Sequence, residues 1–471
     1  MQQIMDDPYL EFFNLVVDPD IFIFRHVNLV KAFYDEYTSI LRRKLEPVYR
    51  EDLRRKYSLK SIIKYISPSR LSHGIIFLFK KGKTSSKSTI WYGLSDRYVE
   101  ENGKYEDVYN YDVMLTLPFE NVIRLQDSRD KVPKIYPADL YFEDFAIPLG
   151  LIQIFLYGFW FKSLKRFTEN VYQIFRNKDF TKRQIFRITL KFWGKYYLYK
   201  LILRKLQVNQ AISLCHYSKH SFNLACHQLG IPNVELMHGH IMRTHPYYNI
   251  PNLPVEFENP IRQLIPDFLG VYGEYWRNNL LAGKQFAANQ IKVVGYYLHT
   301  GKASINEKLQ TPKRILITTQ PHVQKEILEY VKYLQNQLDP KLFHVIIKPH
   351  PAEDYAKYLA LQDGRLVSIS TTDVYHLLPV SDIHISVFST VLFEAVRYGL
   401  CNYVLFVDRF ARECMDVVNS GVAKALYPDQ IPVMYDKTHI NPKYYFDDFH
   451  PDRILNLIQF NNGFPSDPIS G

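Results

Sequence analysis

The chain has 471 residues, 47% of them hydrophobic and 23% charged, a composition that excludes a disordered polypeptide and leaves room for two or three domains. Its 58 Lys and Arg against 48 Asp and Glu give a formal net charge of +10, which suits an anionic partner: nucleic acid, a membrane surface or a phosphorylated ligand. Only four cysteines occur, without CxxC spacing, so neither a disulfide framework nor structural zinc is expected, and reduced thiols in a cytosolic compartment are.

The N-terminal MQQIMDDPYLEFF has no basic segment followed by an apolar core and cleavage site, so secretion is not expected. Residues 1–145 read as mixed: "DIFIFRHVNLVKAFYDEY" predicts a strand passing into a helix, and "YDVMLTLPF" a strand. Asp18-Pro-Asp20 has the outline of a metal-binding DxD, but the proline between the acids reads as a loop. Ile147–Phe161 (IPLGLIQIFLYGFWF) is too short to span a bilayer and is expected to be a buried helix. From about 147 to 207 apolar and aromatic residues recur at helical spacing with Lys and Arg between them, predicting basic amphipathic helices. Thirteen Lys and Arg fall between Trp160 and Lys205, against Glu169 and Asp179.

From Gln210 short apolar runs alternate with helical segments: "AISLCHYS", "KHSFNLACHQLG", "IPNVELMHGH", then strands in "PDFLGVYGEYW" and "IKVVGYYL". His299–Arg314 is polar and aperiodic and reads as a linker. The alternation resumes with "RILITTQ", "HVQKEILEYVKYLQNQL", "FHVIIKPHP", "RLVSIS", "TDVYHLLPV", "DIHISVF", "STVLFEAVRYGL" and "NYVLFVD". Such alternation implies parallel sheets, hence an α/β fold of two Rossmann-like domains facing a cleft, with basic helices inserted in the N-terminal half. The expected domains are 1–300 (including the helices at 147–207), a linker at 301–312, a second β/α domain at 313–450, and a tail at 451–471 that packs back or is disordered.

Ligands in open parallel sheets bind beyond the carboxyl ends of strands, so three segments are singled out. In "IIKPHP" the prolines end the strand and present Lys348 and His350, a cation and a donor suited to phosphate oxygens; a plain strand-ending turn explains the same residues. In "SVFSTVLFEA" Ser386, Ser389 and Thr390 lead into a helix bearing Glu394, an arrangement suited to an anion at a helix N-terminus, or to simple capping by Ser389. In "ELMHGHIMRTHPYY" His238 follows a strand and precedes Gly239, whose freedom permits a tight turn; His238 fits a general base, or an internally bonded turn residue. His238, His240 and His245 lack an adjacent carboxylate or cysteine to complete a metal set, so no metal and no cofactor is expected. Glu274, Thr318 and Gln320 are further cleft candidates. GxxxxGK[ST], GxSxG, HExxH and a GxGxxG after a strand are absent.

Taken together, "VELMHG", "IIKPHP" and "DIHISVFSTVLFEA", spread over roughly 210–405, resemble bacterial surface-polysaccharide glycosyltransferases of the GT-B fold. That group includes sialyltransferase-like and Kdo-transferase-like enzymes using CMP-sugars, and the teichoic-acid CDP-glycerol polymerases. The resemblance implies that His350 and Pro351 belong to a nucleotide-phosphate site, that Ser386, Ser389 and Thr390 form its hydroxyl motif, and that His238-Gly239 is catalytic, as in the polymerase branch. Many sialyltransferase-like members instead carry an acidic residue beside a glycine as base. The implied function is transfer of a sugar from a nucleotide donor, CMP- or UDP-linked, to a lipid-linked or growing polysaccharide hydroxyl. The expected partners are donor, acceptor and an anionic membrane surface on the inner face of the cytoplasmic membrane, contacted by the basic helices, and not nucleic acid. A CDP-polyol phosphotransferase and a non-catalytic nucleic-acid or lipid-binding scaffold are the alternatives; a sugar-nucleotide epimerase of the same two-domain architecture is less expected, since it needs no membrane-facing basic surface.

Overall fold

The computed structural model of the protein describes residues 11–460 except residues 17 and 244 and the stretches 46–73, 79–86, 94–97, 102–103, 108–112, 114–116, 118–120, 128–138, 177–179, 251–252, 298–311, 351–352 and 436–439. The chain divides into two compact units, residues 1–300 with 448–471, and residues 301–447.

In the first unit seven strands, β1 (Ser88–Tyr92), β2 (Val122–Gln126), β3 (Leu140–Tyr141), β4 (Val208–Ser213), β5 (Asn233–Leu236), β6 (Phe268–Val271) and β7 (Ile291–Val293), form one sheet in the order β7-β6-β5-β4-β1-β2-β3. Every neighbouring pair is parallel. Strands covered on both faces are apolar throughout, and here Ile90, Ala211, Ile212, Val234, Leu236, Leu269 and Val271 are all buried. The strand order reverses between β1 and β4, which makes their carboxyl ends a topological switch point. The segment "DIFIFRHVNLVKAFYDEY" forms a short antiparallel ribbon, Ile23–Phe24 with Val27–Asn28, followed by helix α1 (Val30–Leu45). The strand expected in "YDVMLTLPF" lies largely outside the described residues.

Two long helices, α2 (Ala146–Ile174) and α3 (Lys182–Lys205), form a hairpin beside this sheet. Thr181 opens α3 with a capping box: its hydroxyl accepts the Gln184 N–H at 3.2 Å, and the Gln184 side chain accepts the Thr181 N–H at 2.7 Å. The helices cross at Gly194, where a Cβ would stand 2.7 Å from Gln153 Cγ, closer than any side chain allows. Leu156, Trp160, Leu164, Phe167 and Val171, spaced three or four apart, form the buried face of α2. Aromatic contacts tie this hairpin to the N-terminal segment: Phe12 to Phe175 at 5.7 Å, Phe24 to Phe167 at 5.1 Å, and Trp160 to Trp193 edge-on at 5.6 Å. The expectation that Ile147–Phe161 is buried is corrected here. Only one face of the helix packs inward, and Leu151, Ile154, Phe155 and Phe159 are exposed.

The second unit holds β8 (Lys313–Thr318), β9 (Phe343–Lys348), β10 (Val367–Ile369), β11 (Ile383–Ser386), β12 (Cys401–Leu405) and β13 (Lys424–Leu426), all parallel, in the order β10-β9-β8-β11-β12-β13. This is the doubly wound arrangement, with its switch point between β8 and β11. Helix α4 (Gln324–Gln337) buries Ile327, Tyr330, Val331 and Leu334. The helix expected in "STVLFEAVRYGL" is one α turn, α5 (Val391–Glu394), continued by a 3-10 turn to Tyr398 and stopped by Gly399 in the left-handed conformation. The terminal helix Pro451–Phe460 packs back on the first unit near β5, and Gly295 (φ +87°) permits the return, since a Cβ there would meet the Asp448 carbonyl oxygen at 1.9 Å.

Candidate functional site

The second unit's site is built by the ends of β9, β8 and β11. The motif strands β9 and β11 are not neighbours; β8 lies between them, and its carboxyl end joins the two loops. On one side the Thr319 hydroxyl accepts the His350 backbone N–H at 3.0 Å and itself donates to Glu353. Glu353 also accepts that N–H at 3.0 Å and takes the Tyr358 hydroxyl on its other oxygen at 2.7 Å, so one carboxylate fixes the "KPHP" turn from within. On the other side Gln320 Oε1 accepts the Phe388 N–H at 3.1 Å, which sets the approach to Ser389. Thr319 and Glu353 carry no sequence signature: a threonine after a strand and a glutamate in a loop are ordinary until β8 is known to lie between the motifs.

Beneath this edge is a neutral buried network. Asn402 spends its amide N–H groups on the Leu392 and Val422 carbonyls, so its oxygen faces His384, and His384 Nδ1–H donates to it at 3.1 Å. That tautomer leaves Nε2 to accept the Thr318 hydroxyl at 2.9 Å. Burial pushes His384 down to about 4 and keeps it uncharged. Ser386 is also buried and donates its hydroxyl to the Thr318 carbonyl at 2.9 Å, so this hydroxyl braces the switch point from inside.

What remains at the surface is a set of donors. His350 is exposed, and Ser389 and Thr390 are half-buried. The Ser389 hydroxyl accepts the Val391 N–H at 3.3 Å, while the N–H groups of Ser389 and Thr390 have no acceptor among the described residues. With only one α turn behind them, these N–H groups and not a macrodipole are what the segment offers an anion. Lys348 is half-buried; burial lowers its ammonium against the opposing pull of Asp373, and Nζ lies 3.4 Å from the Thr371 carbonyl. Glu394 is buried and accepts the Tyr375 hydroxyl at 3.0 Å. Pro351 lies outside the described residues.

The first unit's site follows β4 and β5. β4 ends at the switch point, where Cys215 takes the left-handed conformation (φ 57°, ψ 71°), uncommon for a residue with a side chain. This bend places Cys215 Sγ 2.9 Å from Nε2 of His238, the residue that leaves β5, and 3.4 Å from the Tyr217 hydroxyl. His238 is held by its neighbour in the chain: the Met237 N–H donates to the Gly270 carbonyl at 2.9 Å, and the Met237 carbonyl accepts the Tyr297 hydroxyl at 2.7 Å. Gly239 is not forced by sterics, because a Cβ there would meet nothing within 4 Å and its φ is not positive.

Behind this pair lies the fully buried Glu235, which accepts His216 Nδ1–H at 2.7 Å, the His216 backbone N–H at 3.2 Å and the Tyr248 hydroxyl. Gln285 donates to His216 Nε2 at 3.1 Å, which fixes the imidazole as a neutral Nδ1–H tautomer, and burial lowers its pKa. Burial opposes ionisation of Glu235, but His216, the Tyr248 hydroxyl and the nearby His238 override it and hold the carboxyl below its ordinary range. Helix α1 completes the frame. Buried Lys31 pairs with Asp35 at 2.6 Å and donates to the Tyr247 carbonyl at 3.0 Å, while Tyr34 donates to the Pro246 carbonyl at 3.1 Å. Burial pushes His240 down to about 4. Glu274 begins the helix after β6, is exposed, and pairs with Arg277 at 3.4 Å. Among the described residues no group of three or more His, Cys, Asp or Glu is placed to hold a metal ion.

Sequence reasoning missed Cys215. A lone cysteine has no motif; the only available signal was its place directly after a strand in "AISLCHYS".

No family model and no curated protein matches the chain. Among solved structures the chain is similar to a UDP-GlcNAc 2-epimerase from Methanocaldococcus jannaschii (12% identity over 80% of this chain and 100% of that one, TM-score 0.46). It is also similar to MurG of Acinetobacter baumannii (12%, 80% and 100%, TM-score 0.43) and to the wall teichoic acid polymerase TagF in a CDPG soak (12%, 80% and 78%, TM-score 0.34). At this level of similarity none of their activities carries over to the chain.

Proposed function

We propose that the protein is a glycosyltransferase of GT-B type that moves a sugar from a nucleotide-activated donor, CMP- or UDP-linked, to a hydroxyl of a lipid-linked or growing polysaccharide acceptor. One observation supports the reading: the loop bearing His350 bonds to Thr319 and the loop leading to Ser389 and Thr390 bonds to Gln320, so both are tied to the carboxyl end of β8 at the switch point of a doubly wound sheet, the kind of edge where nucleotides bind. These groups would take up charge as the donor phosphate leaves.

The first unit supplies the acceptor-side chemistry. His238 would take the proton from the acceptor hydroxyl as its oxygen bonds to the anomeric carbon; the bond from that carbon to the phosphate oxygen breaks, and the electron pair leaves with the nucleotide. Cys215 Sγ lies 2.9 Å from Nε2 and 3.6 Å from Nδ1, so the thiol would hold the imidazole in place.

A second reading, transfer of a polyol phosphate from a CDP-polyol, is favoured by one feature: a histidine, and not a carboxylate, precedes Gly239. Incubation with CMP-, CDP- and UDP-linked donors, with the released nucleotide identified, tests both. Release of CMP from a CMP-sugar or UDP from a UDP-sugar supports sugar transfer, and release of CMP from a CDP-polyol supports phosphate transfer. No turnover with any donor would sink both.

A further inference from the structure

Helix α2 carries two unlike halves on one exposed face. From Ala146 to Phe161 it has no charged residue, and Leu151, Ile154, Phe155 and Phe159 are 63%, 70%, 68% and 73% exposed. Tyr197 and Leu201 of α3 are exposed as well. A contiguous apolar stripe of this kind on a water-soluble surface marks an interaction site. One turn beyond Phe159 the same face changes to Lys162, Lys165 and Arg166, all exposed.

At that boundary lies a cavity of about 370 Å³ whose polar lining is Asp20, Arg25, Ser163, Arg166 and Asn170. Arg25 sits at the tip of the N-terminal ribbon, where Arg25 and His26 both have positive φ (56° and 63°), a conformation that glycine or asparagine adopts at less cost. The turn holds the Arg25 guanidinium 4.7 Å from the Trp160 ring. Among the described residues neither Arg25 nor Arg166 has a carboxylate partner, in contrast to Lys182, which is paired with Glu169 at 2.6 Å.

We propose that α2 docks this protein on an anionic membrane, with its apolar stripe in the hydrocarbon of one leaflet and the Arg25–Arg166 cavity on the phosphate of an acidic phospholipid headgroup. The order along the helix is the order across a leaflet. At about 1.5 Å per residue the uncharged stretch is roughly 22 Å long, short of the ~30 Å hydrocarbon core, and Arg166 follows about 10 Å beyond Phe159, with Arg25 held over the neighbouring Trp160 ring. By length and composition alone the helix could cross a membrane, but it tilts in from one side, because its opposite face is committed to Trp193 and Phe24. Charge selects the partner: the exposed residues flanking the stripe along α2 are Lys162, Lys165 and Arg166, whose like charges would repel a second copy of the same surface. The inference goes beyond the transferase reading and does not depend on it.

The full chain, without nucleotide, is sedimented with phosphatidylcholine vesicles with and without one-third phosphatidylglycerol, at low and high salt. Wild type is expected to bind the phosphatidylglycerol vesicles more tightly and to keep part of that binding in high salt. Phe155→Asp with Phe159→Asp should weaken binding to both vesicle types on the order of tenfold or more. Arg25→Ala with Arg166→Ala should cost about fivefold per charge on the phosphatidylglycerol vesicles alone. Circular dichroism checks that these surface variants are folded. As a second readout, Phe155→Trp should fluoresce to the blue on vesicles and be quenched by brominated acyl chains. Wild type that ignores vesicles, or a Phe155/Phe159 variant that binds like wild type, overturns the proposal. So does a wild-type dimer in sedimentation velocity that the same variant turns into monomer, which would make the stripe a homodimer interface. Vesicle binding and donor turnover are separate measurements, so either idea can fail alone.

Discussion

The two strand edges are built from different kinds of group. In the first unit the edge rests on titratable groups taken out of water: Glu235 and His216 are fully buried, Cys215 is nearly so, and His238 alone of the set reaches toward the surface. In the second unit the network directly beneath the edge is neutral, His384 between Thr318 and Asn402, and the surface offers hydrogen-bond donors at His350, Ser389 and Thr390. Proton transfer requires a base whose affinity is tuned by buried neighbours, whereas anion binding requires donors fixed in space. On the proposed reading the first edge would serve the former and the second the latter.

Steady-state kinetics with an identified donor tests this division most severely. His238→Ala should lower kcat by roughly 10²–10⁴ and leave donor KM near wild type, whereas His350→Ala should raise donor KM about tenfold or more. Equal effects of both substitutions on both parameters would erase the distinction.

Glu235→Ala removes the acceptor of three buried donors and should cost about 3–5 kcal/mol in denaturant unfolding of the first unit. A loss below about 1 kcal/mol would mean that the array is not a tight framework.

Acid should expose the second unit's neutral layer. The folded pKa of His384 is about 4 against an ordinary 6.5, so as pH falls the unfolded chain binds a proton that the folded chain refuses. Its contribution is present in full above about pH 6.5 and is lost toward pH 4, a change of about 3 kcal/mol. His384→Gln should flatten that limb of the stability profile; an unchanged slope would contradict the neutral tautomer.

The smallest effect is expected at Gly239. With open space around it, Gly239→Ala should shift stability by no more than about 0.5 kcal/mol and leave turnover nearly unchanged. A large loss of activity would show that substrate approaches this backbone closely.

The β/α alternation from Gln210 onward was legible because each buried parallel strand is a short apolar run bounded by turn residues, as in "FHVIIKPHP" and "DIHISVF". The strands β1 to β3 were not, because they are two to five residues long and widely separated, and only the completed sheet shows that they hold its centre and one edge. Helix α2 misled for a different reason. An uncharged run of that length is ordinarily core, and sequence does not tell which side of a helix finds partners. In the site, His350 and Ser389 stood out through proline and helix-start chemistry. Thr319, Glu353 and Cys215 did not, because their roles arise from strand order and from one left-handed bend.

Nucleotide binding measured by calorimetry decides whether the second unit's switch point holds the donor phosphate. CMP, CDP or UDP should bind the wild-type chain, His350→Ala should weaken this at least about tenfold, and Cys215→Ala should leave it unchanged. Nucleotide binding that is indifferent to His350→Ala and lost with Cys215→Ala would contradict it.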